Sequence, residues 1–312
     1  MGLMPAGGIP LPPPHSLQVP APAEPLWQEW IAVSLDMSLV FYWQNQIAAF
    51  ECLDEPLQQA VETYGTSGQR ALYWQRKGNL AFRANHCVAT DEIVAWHRRS
   101  LDAVLDGGDP AELPYSWFMF GFALLWNGQP AAALEPMEYS LATATERGDA
   151  SLQARCLTYL TVAHRMLGHG DAVAQLAARS LAVAEAAHMP EYVGTAQANR
   201  CWLAWHTGDA TAARIAASAA HAAWSQLAPD HASLHFQWTA LLPELALAAG
   251  AAATADAVEC ARRLLAPTQQ ALPGTLAEPL ALAVTQFDAG DGAAARRAIT
   301  RAIEAARRLG YL

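Results

Sequence analysis

Histidines at helical spacing are the residues of this sequence whose types and positions could do chemistry. His231 and His235 stand four residues apart, which places both on one face of a helix, and two imidazoles in this arrangement can bind a transition metal. No third ligand stands nearby in the sequence, although His206 or His221 could approach in the folded chain. Solvated or hydrogen-bonded histidines explain the same spacing, so we expect no metal and no cofactor.

Motifs typical of catalysis are missing from the 312 residues. The sequence has no P-loop, no dinucleotide-binding glycine motif, no nucleophile elbow and no zinc-protease motif. Paired acids such as Asp54-Glu55 stand at predicted helix starts, where the helix dipole explains them without catalysis. The sequence therefore favours a non-enzymatic protein. An enzyme that uses a pocket around His206, His231 and His235 is the weaker alternative.

The elements that must position these residues repeat along the chain. Glycines recur every 40 to 42 residues, and a second set of Gly, Pro and Asp breaks falls midway between them. The recurring glycines are Gly128, Gly168, Gly208, Gly250 and Gly290. A fixed period of this size predicts alternating helices and turns, in which each unit buries its apolar face against its neighbours. We therefore predict an all-α solenoid of about six to seven antiparallel helix pairs.

Small side chains are expected to let the two helices of a pair approach closely. When the turns are aligned on a glycine, small residues stand seven positions before it and four positions after it. The aligned glycines are Gly128, Gly170, Gly208 and Gly290; the earlier set is Gly121, Ala163, Cys201 and Ala283; the later set is Ala132, Ala174, Ala212 and Ala294. The pair around Gly250 departs from this pattern, because Pro243 predicts a kink before the turn.

Three regions differ in composition. Residues 1–25 are so rich in Pro that helix and sheet are excluded, which predicts an extended tail or linker. Residues 26–65 carry apolar residues at helical spacing, with a break expected at Asp54-Glu55-Pro56, and predict an atypical capping pair of helices. Residues 66–312 hold the repeats, in which Thr90 is expected to cap a helix.

Charge and composition limit the partners. The net charge is −10, and residues 1–150 carry seventeen acids against seven bases, which disfavours nucleic acid and anionic membranes as direct partners. The sequence shows no membrane span and no secretory signal, and its five cysteines form no C-x-x-C pair. These features predict a cytoplasmic protein. Tyr311-Leu312, which follows the last predicted helix, leaves a homo-oligomer open.

Three features carry a resemblance to a known family: the small residues at the two offsets, Trp117 three positions before Phe120-Gly121, and the repeated Gly-Asp turns. Together they resemble tetratricopeptide repeats (TPRs). The period of 40 is similar to that of the long repeats behind the ATPase domains of bacterial STAND-type activators and cyclase-ATPase-repeat proteins. The resemblance implies a right-handed superhelix whose first helices line a concave groove. An ATPase domain before residue 1 is left open, because the Pro-rich start fits a linker and a free tail equally.

Side chains on the predicted first helices form the candidate binding surface. Some of them are packing residues of the repeat, whereas others can project into the groove and bind a peptide or a small effector. The predicted groove residues are Trp74, Tyr115, Phe118, Tyr159, Trp202, Trp205, His235 and Trp238. We expect a scaffold or sensor module of a bacterial signalling or transcription regulator, with a stand-alone protein adaptor as the alternative.

Overall fold

The computed structural model describes residues 24–229 and 231–312, and every regular element in those ranges is helical. The predicted tail of residues 1–25 lies outside them, apart from its last two residues. The α-helices of the described residues are α1 (Glu24–Trp43), α2 (Ile47–Tyr64), α3 (Ser67–Ala84), α4 (Asp91–Leu105), α5 (Leu113–Trp126), α6 (Pro130–Arg147), α7 (Ala150–Met166), α8 (Gly170–Ala186), α9 (Pro190–His206), α10 (Ala210–Trp224), α11 (Trp238–Gly250), α12 (Thr254–Leu264), α13 (Gly274–Asp288) and α14 (Gly292–Arg308).

The helices form two compact units. The first contains α1, α2, α3 as far as Ala81, and α4 from Ala95 onwards. The second contains residues 82–94 and the helices from α5 to α14.

In the first unit, α1 packs against α2 around a buried apolar core. The core residues are Ile31, Leu35, Leu57, Ala60, Val61, Tyr73 and Trp74. The predicted break at Asp54-Glu55-Pro56 is wrong, because α2 continues through Pro56. The chain breaks instead just after Trp43, where Asn45 has a φ of 54°. Asparagine tolerates this left-handed conformation, whereas a proline inside a helix removes one backbone donor and crowds the carbonyl four residues earlier, which can bend a helix without ending it.

In the second unit, consecutive helices pack as antiparallel pairs and each pair packs against the next. The contacts within pairs join α7 to α8, α9 to α10, α11 to α12 and α13 to α14. The contacts between pairs join α6 to α7, α8 to α9, α10 to α11 and α12 to α13, and the first helices α7, α9 and α11 also touch in sequence. This pattern of neighbour contacts confirms the all-α solenoid predicted from the period.

The turn residues have the roles that the repeat predicts. Glycine takes the left-handed conformation after a first helix, with φ between 74° and 85° at Gly128, Gly168, Gly208 and Gly290. The aspartates after Gly208 and Gly290 then cap the next helix, since Asp209 accepts a hydrogen bond from Ala212 N and Asp291 from Ala294 N. The turn after α11 differs from the others, because Gly250 ends the helix and Ala252, with a φ of 56°, takes the left-handed position.

The predicted register of small residues is correct on three of the first helices and wrong on α7 and on the second helices. Gly121, Ala163, Cys201 and Ala283 are buried as expected. Ala132 and Ala174 are exposed, and Ala212 and Ala294 are only half-buried. The fully buried residues stand one position later, at Ala133, Val173, Ala213 and Ala295. Gly168, rather than Gly170, is therefore the glycine equivalent to the other three.

The segment predicted as a single helix over 231–249 is divided. A 3-10 helix, Ala232–Phe236, precedes α11, which begins at Trp238. His231 caps this short helix, because its Nδ1 accepts a hydrogen bond from Ser233 N over 3.2 Å. A side chain that accepts a local backbone hydrogen bond competes with α-helix formation, so the cap explains the division.

Candidate functional site

The eight predicted groove residues separate by burial. Trp74, Phe118, Trp202 and Trp238 are buried, whereas Tyr115, Tyr159, Trp205 and His235 are half-buried. Trp74 lies in the first unit and the other seven lie in the second. Of the eight predicted groove residues, the four half-buried ones therefore have a side-chain surface that is open to solvent.

A continuous aromatic cluster joins the first helices of the second unit. Phe122 on α5 meets Tyr159 on α7 with ring centroids 4.8 Å apart, and Trp126 stacks on Phe236 at 4.9 Å. Trp238 on α11 meets Tyr311, beyond the last helix, at 4.7 Å. Aromatic pairs at these separations stabilise one another beyond the area they bury. The spacing of residues in single helices could not have predicted the pairs that involve Phe236 and Tyr311.

Arg165 lies in the centre of this cluster. Its guanidinium is between the rings of Trp202 and Trp238, with Cζ 5.5 and 5.2 Å from the two centroids. It donates to the backbone oxygens of Thr239, over 2.7 Å, and Tyr311, over 2.9 Å. Burial lowers the pKa of Arg165 to about 9, so the group remains charged at pH 7. Cation–π contacts and carbonyl dipoles thus replace an acidic partner.

The segment between α12 and α13 crosses to distant parts of the second unit. Ala271 N donates to His86 O over 3.0 Å, and Gln270 N donates to His235 O over 2.8 Å. The Gln270 side chain accepts from Trp238 Nε1 over 2.8 Å and donates to Cys87 O. This segment therefore covers Trp238 and His235, two of the predicted groove residues.

A second arginine stands among tyrosines near the starts of three first helices. Arg155 on α7 is half-buried, with its Cζ 5.9 Å from the centroid of Tyr115 on α5. Burial lowers the pKa of Arg155, whereas Tyr192, on α9, together with Tyr115 and Tyr159, raises it. Burial raises the pKa of Tyr192 to about 12, and Arg155 acts in the opposite direction. Arg155 could not be predicted from the sequence, because a single arginine in a helix carries no motif.

Asn199 on α9 is completely buried, and neither its amide nitrogen nor its amide oxygen has a hydrogen-bond partner among residues 24–229 and 231–312. Both atoms would form hydrogen bonds in water, so their burial without partners costs stability. Such a residue is unusual in a folded protein and is a candidate for a functional role.

The histidines of the alternative hypothesis have separate environments. His206 stacks on Trp202 at 4.8 Å, His221 Nε2 lies 2.8 Å from Glu244 Oε2, and His235 Nδ1 bonds Thr268 O. His231 caps the 3-10 helix. In the ranges 24–229 and 231–312, no three His, Cys, Asp or Glu side chains are grouped so that they could hold a metal ion.

Trp74 of the first unit contacts two cations. Lys77 Nζ lies 5.8 Å from the ring centroid of Trp74, and Arg99 Cζ lies 4.7 Å from the same centroid. Lys77 also bonds Asp54 Oδ2 over 2.7 Å, and Asp54 Oδ1 accepts from the hydroxyl of Tyr73 over 2.7 Å. Burial, together with the Asp54 hydrogen bond, raises the pKa of Tyr73. This network explains the burial of Trp74 as packing within the unit.

Comparisons with known proteins are informative about the fold. No protein-family model and no curated protein matches this sequence. The chain is similar to the crystal structure of a Rap protein complexed with competence and sporulation factor, with a TM-score of 0.57 and 11% identity over 91% of this chain and 99% of that one. Among the described residues, no helix has the length and apolarity needed to cross a membrane. The likeness and the helix pairs together assign a TPR-like helical repeat fold to the chain.

Proposed function

We propose that this chain is a non-catalytic scaffold or sensor that binds a protein segment or an effector on the first-helix face of its second unit. By the first-helix face we mean the surface that Tyr115, Arg155 and Tyr159 form on α5 and α7. All three side chains are half-buried, so each combines a packed part with a part open to solvent. Tyrosine, tryptophan and arginine are the residues that contribute most often to binding energy in protein interfaces.

The observation that carries this proposal is the contact of Tyr115, Arg155 and Tyr159 across two adjacent first helices. The ring centroid of Tyr159 lies 6.0 Å from that of Phe118 and 4.8 Å from that of Phe122. These contacts with α5 restrict the orientation of the Tyr159 ring. A ring that is already ordered loses little conformational entropy when a ligand binds, which favours affinity. The fold of the Rap protein, solved in complex with competence and sporulation factor, supports binding by a similar helical repeat.

The regulatory setting belongs to the same proposal. The resemblance to the long repeats of STAND-type and cyclase-ATPase-repeat regulators suggests a bacterial signalling or transcription regulator. The five cysteines are free thiols, which suits a reducing cytoplasm. Ligand binding would act by population shift, since a ligand that prefers one arrangement of the helix pairs changes their contact with an attached domain.

Peptide selection tests the proposal directly. A phage library of random dodecapeptides is selected on the immobilised chain, and the affinities of recovered peptides are measured by fluorescence anisotropy. We expect replacement of both Tyr115 and Tyr159 by Ala to weaken binding by about tenfold or more, the effect of losing an interface anchor. The matched control is Tyr139→Ala, which removes a 45% exposed tyrosine from the second helix α6.

Two results contradict the binding of a protein segment on this face. One is the recovery of no peptide above the level found on empty beads. The other is an equal loss of affinity in the Tyr139→Ala control, which would place binding elsewhere. A stand-alone adaptor and a regulator module predict the same peptide result. They differ in whether the native gene continues upstream of residue 1 into an ATPase.

A further inference from the structure

Arg155 is a cation for which the described residues provide no acidic partner. No Asp or Glu forms an ion pair with it, and the groups that act on its charge are Tyr115, Tyr159 and Tyr192. Its Nε is buried and has no hydrogen-bond partner. Glu191, next to Tyr192, raises the pKa of that tyrosine but forms no ion pair with Arg155 among the described residues. A half-buried charge without a counter-ion has lost part of its hydration, and a bound anion would recover part of that free energy.

The surroundings of Arg155 favour an anion. Tyr115 is the third residue of α5, Arg155 the sixth of α7 and Tyr192 the third of α9, so the cluster lies near the starts of three first helices. Helix N-termini carry partial positive charge, which adds to that of the guanidinium. The tyrosine hydroxyls supply further donors beside the arginine.

We propose that Arg155, with Tyr115, Tyr159 and Tyr192, is a recognition site for the carboxylate of an Asp or Glu side chain on the bound protein segment. This inference rests on the proposed function and names the chemistry of its ligand. The planar fork of an arginine matches a carboxylate, to which it donates two parallel hydrogen bonds. A single arginine favours carboxylate over phosphate, because phosphorylated motifs are bound by clusters of arginines.

The test compares the peptide pools selected by two proteins. The dodecapeptide library is selected in parallel on the wild type and on Arg155→Gln, and both pools are sequenced. We expect the wild-type pool to be enriched in Asp or Glu at one peptide position, and the Arg155→Gln pool to lose that enrichment. The matched control is Arg179→Gln, which removes an exposed arginine from the second helix α8.

A second measurement tests the pairing itself. One selected peptide and its Glu→Gln or Asp→Asn counterpart are titrated against the wild type, Arg155→Gln and Arg155→Lys by fluorescence anisotropy. We expect either change, in the peptide or in the protein, to weaken binding by about tenfold, and the two together to cause little further loss. Arg155→Lys keeps the charge but loses the fork, so its affinity should be intermediate.

The outcomes separate this inference from the proposed function. If peptides are selected but show no acidic position, or if the enrichment is unchanged in Arg155→Gln, the carboxylate site is wrong and binding on the first-helix face stands. If no peptide is selected at all, both the carboxylate site and the binding of a protein segment are wrong. Melting temperatures of Arg155→Gln and Arg155→Lys, compared with the wild type, identify a variant that has simply lost its fold.

Discussion

Arg165 Nη2 lies 2.9 Å from the backbone oxygen of Tyr311, a residue 146 positions further along the chain. The same guanidinium bonds Thr239 O, so one side chain of α7 holds both α11 and the segment after α14. Gly310 contributes to this contact, since a Cβ at that position would collide with the backbone of Met166. Pairs so distant in sequence connect parts of the solenoid that neighbour packing alone would leave independent.

The first prediction concerns this connection. Arg165→Ala should lower the free energy of unfolding by about 3 kcal/mol, because it removes two hydrogen bonds and empties a fully buried site. It should also speed amide exchange at residues 309–312. Urea unfolding and hydrogen exchange measure the two effects. Arg200→Ala, which removes an exposed arginine of α9, is the control, and protection of residues 309–312 that survives in Arg165→Ala would contradict the connection.

The second prediction concerns the half-buried ion pair of the first unit. Asp54 accepts from both Lys77 and Tyr73, and Gln58 Oε1 accepts from the same two donors, so Asp54→Leu removes the charged partner of Lys77 but not every acceptor and should cost about 2 kcal/mol. Lys77→Met leaves the carboxylate with its Tyr73 bond and should cost less. The double variant should lose about 1 kcal/mol less free energy of unfolding than the two single variants lose together. The reason is that the second substitution removes a charge that has already lost its partner. Urea unfolding of the wild type, the two single variants and the double variant completes a double-mutant cycle. If the two single losses add up to the loss of the double variant, Asp54 and Lys77 are not coupled.

The third prediction concerns pH. His97 is buried in the first unit, and burial lowers its pKa to about 4 from the ordinary 6.5. The unfolded chain therefore binds a proton between these values that the folded chain does not bind, so stability is complete above pH 6.5 and falls as the pH drops towards 4. The contribution of His97 to this loss is about 3 kcal/mol. Unfolding measured across this range should have a shallower pH dependence in His97→Leu.

The control for this pH dependence is His188→Asn. His188 is exposed and has a φ of 54°, which asparagine also tolerates, so the variant should keep the wild-type slope. A His97→Leu slope equal to that of the wild type would show that other groups cause the acid sensitivity.

The fourth prediction compares two helix glycines. A Cβ at Gly194 would overlap the indole of Trp224, whose Nε1 donates to Glu191 O, so Gly194→Ala should destabilise the second unit by about 2 kcal/mol. Gly250 has no atom within 4 Å of its added Cβ, and Gly250→Ala should be neutral or stabilise by up to about 1 kcal/mol. Thermal unfolding of both variants is the measurement. The same sign of change in both would rule out close packing as the reason for Gly194.

The sequence by itself determined the helices, their pairing and the chemistry of their turns. Gly208 and Asp209 show why: one residue can take the left-handed conformation that ends a helix, and the next can cap the helix that follows. These roles depend on residues within a few positions of each other. They are therefore readable from a local pattern that recurs at a fixed period.

Only the tertiary structure decided which side chains of the predicted groove remain open. Trp238 was predicted to line it, but Gln270, Arg165 and Tyr311 cover it, from positions 32, 73 and 73 residues away along the chain. Helical periodicity states which way a residue faces from its own helix axis. It does not state which distant segment packs against that face, because that depends on the summed geometry of all the intervening turns.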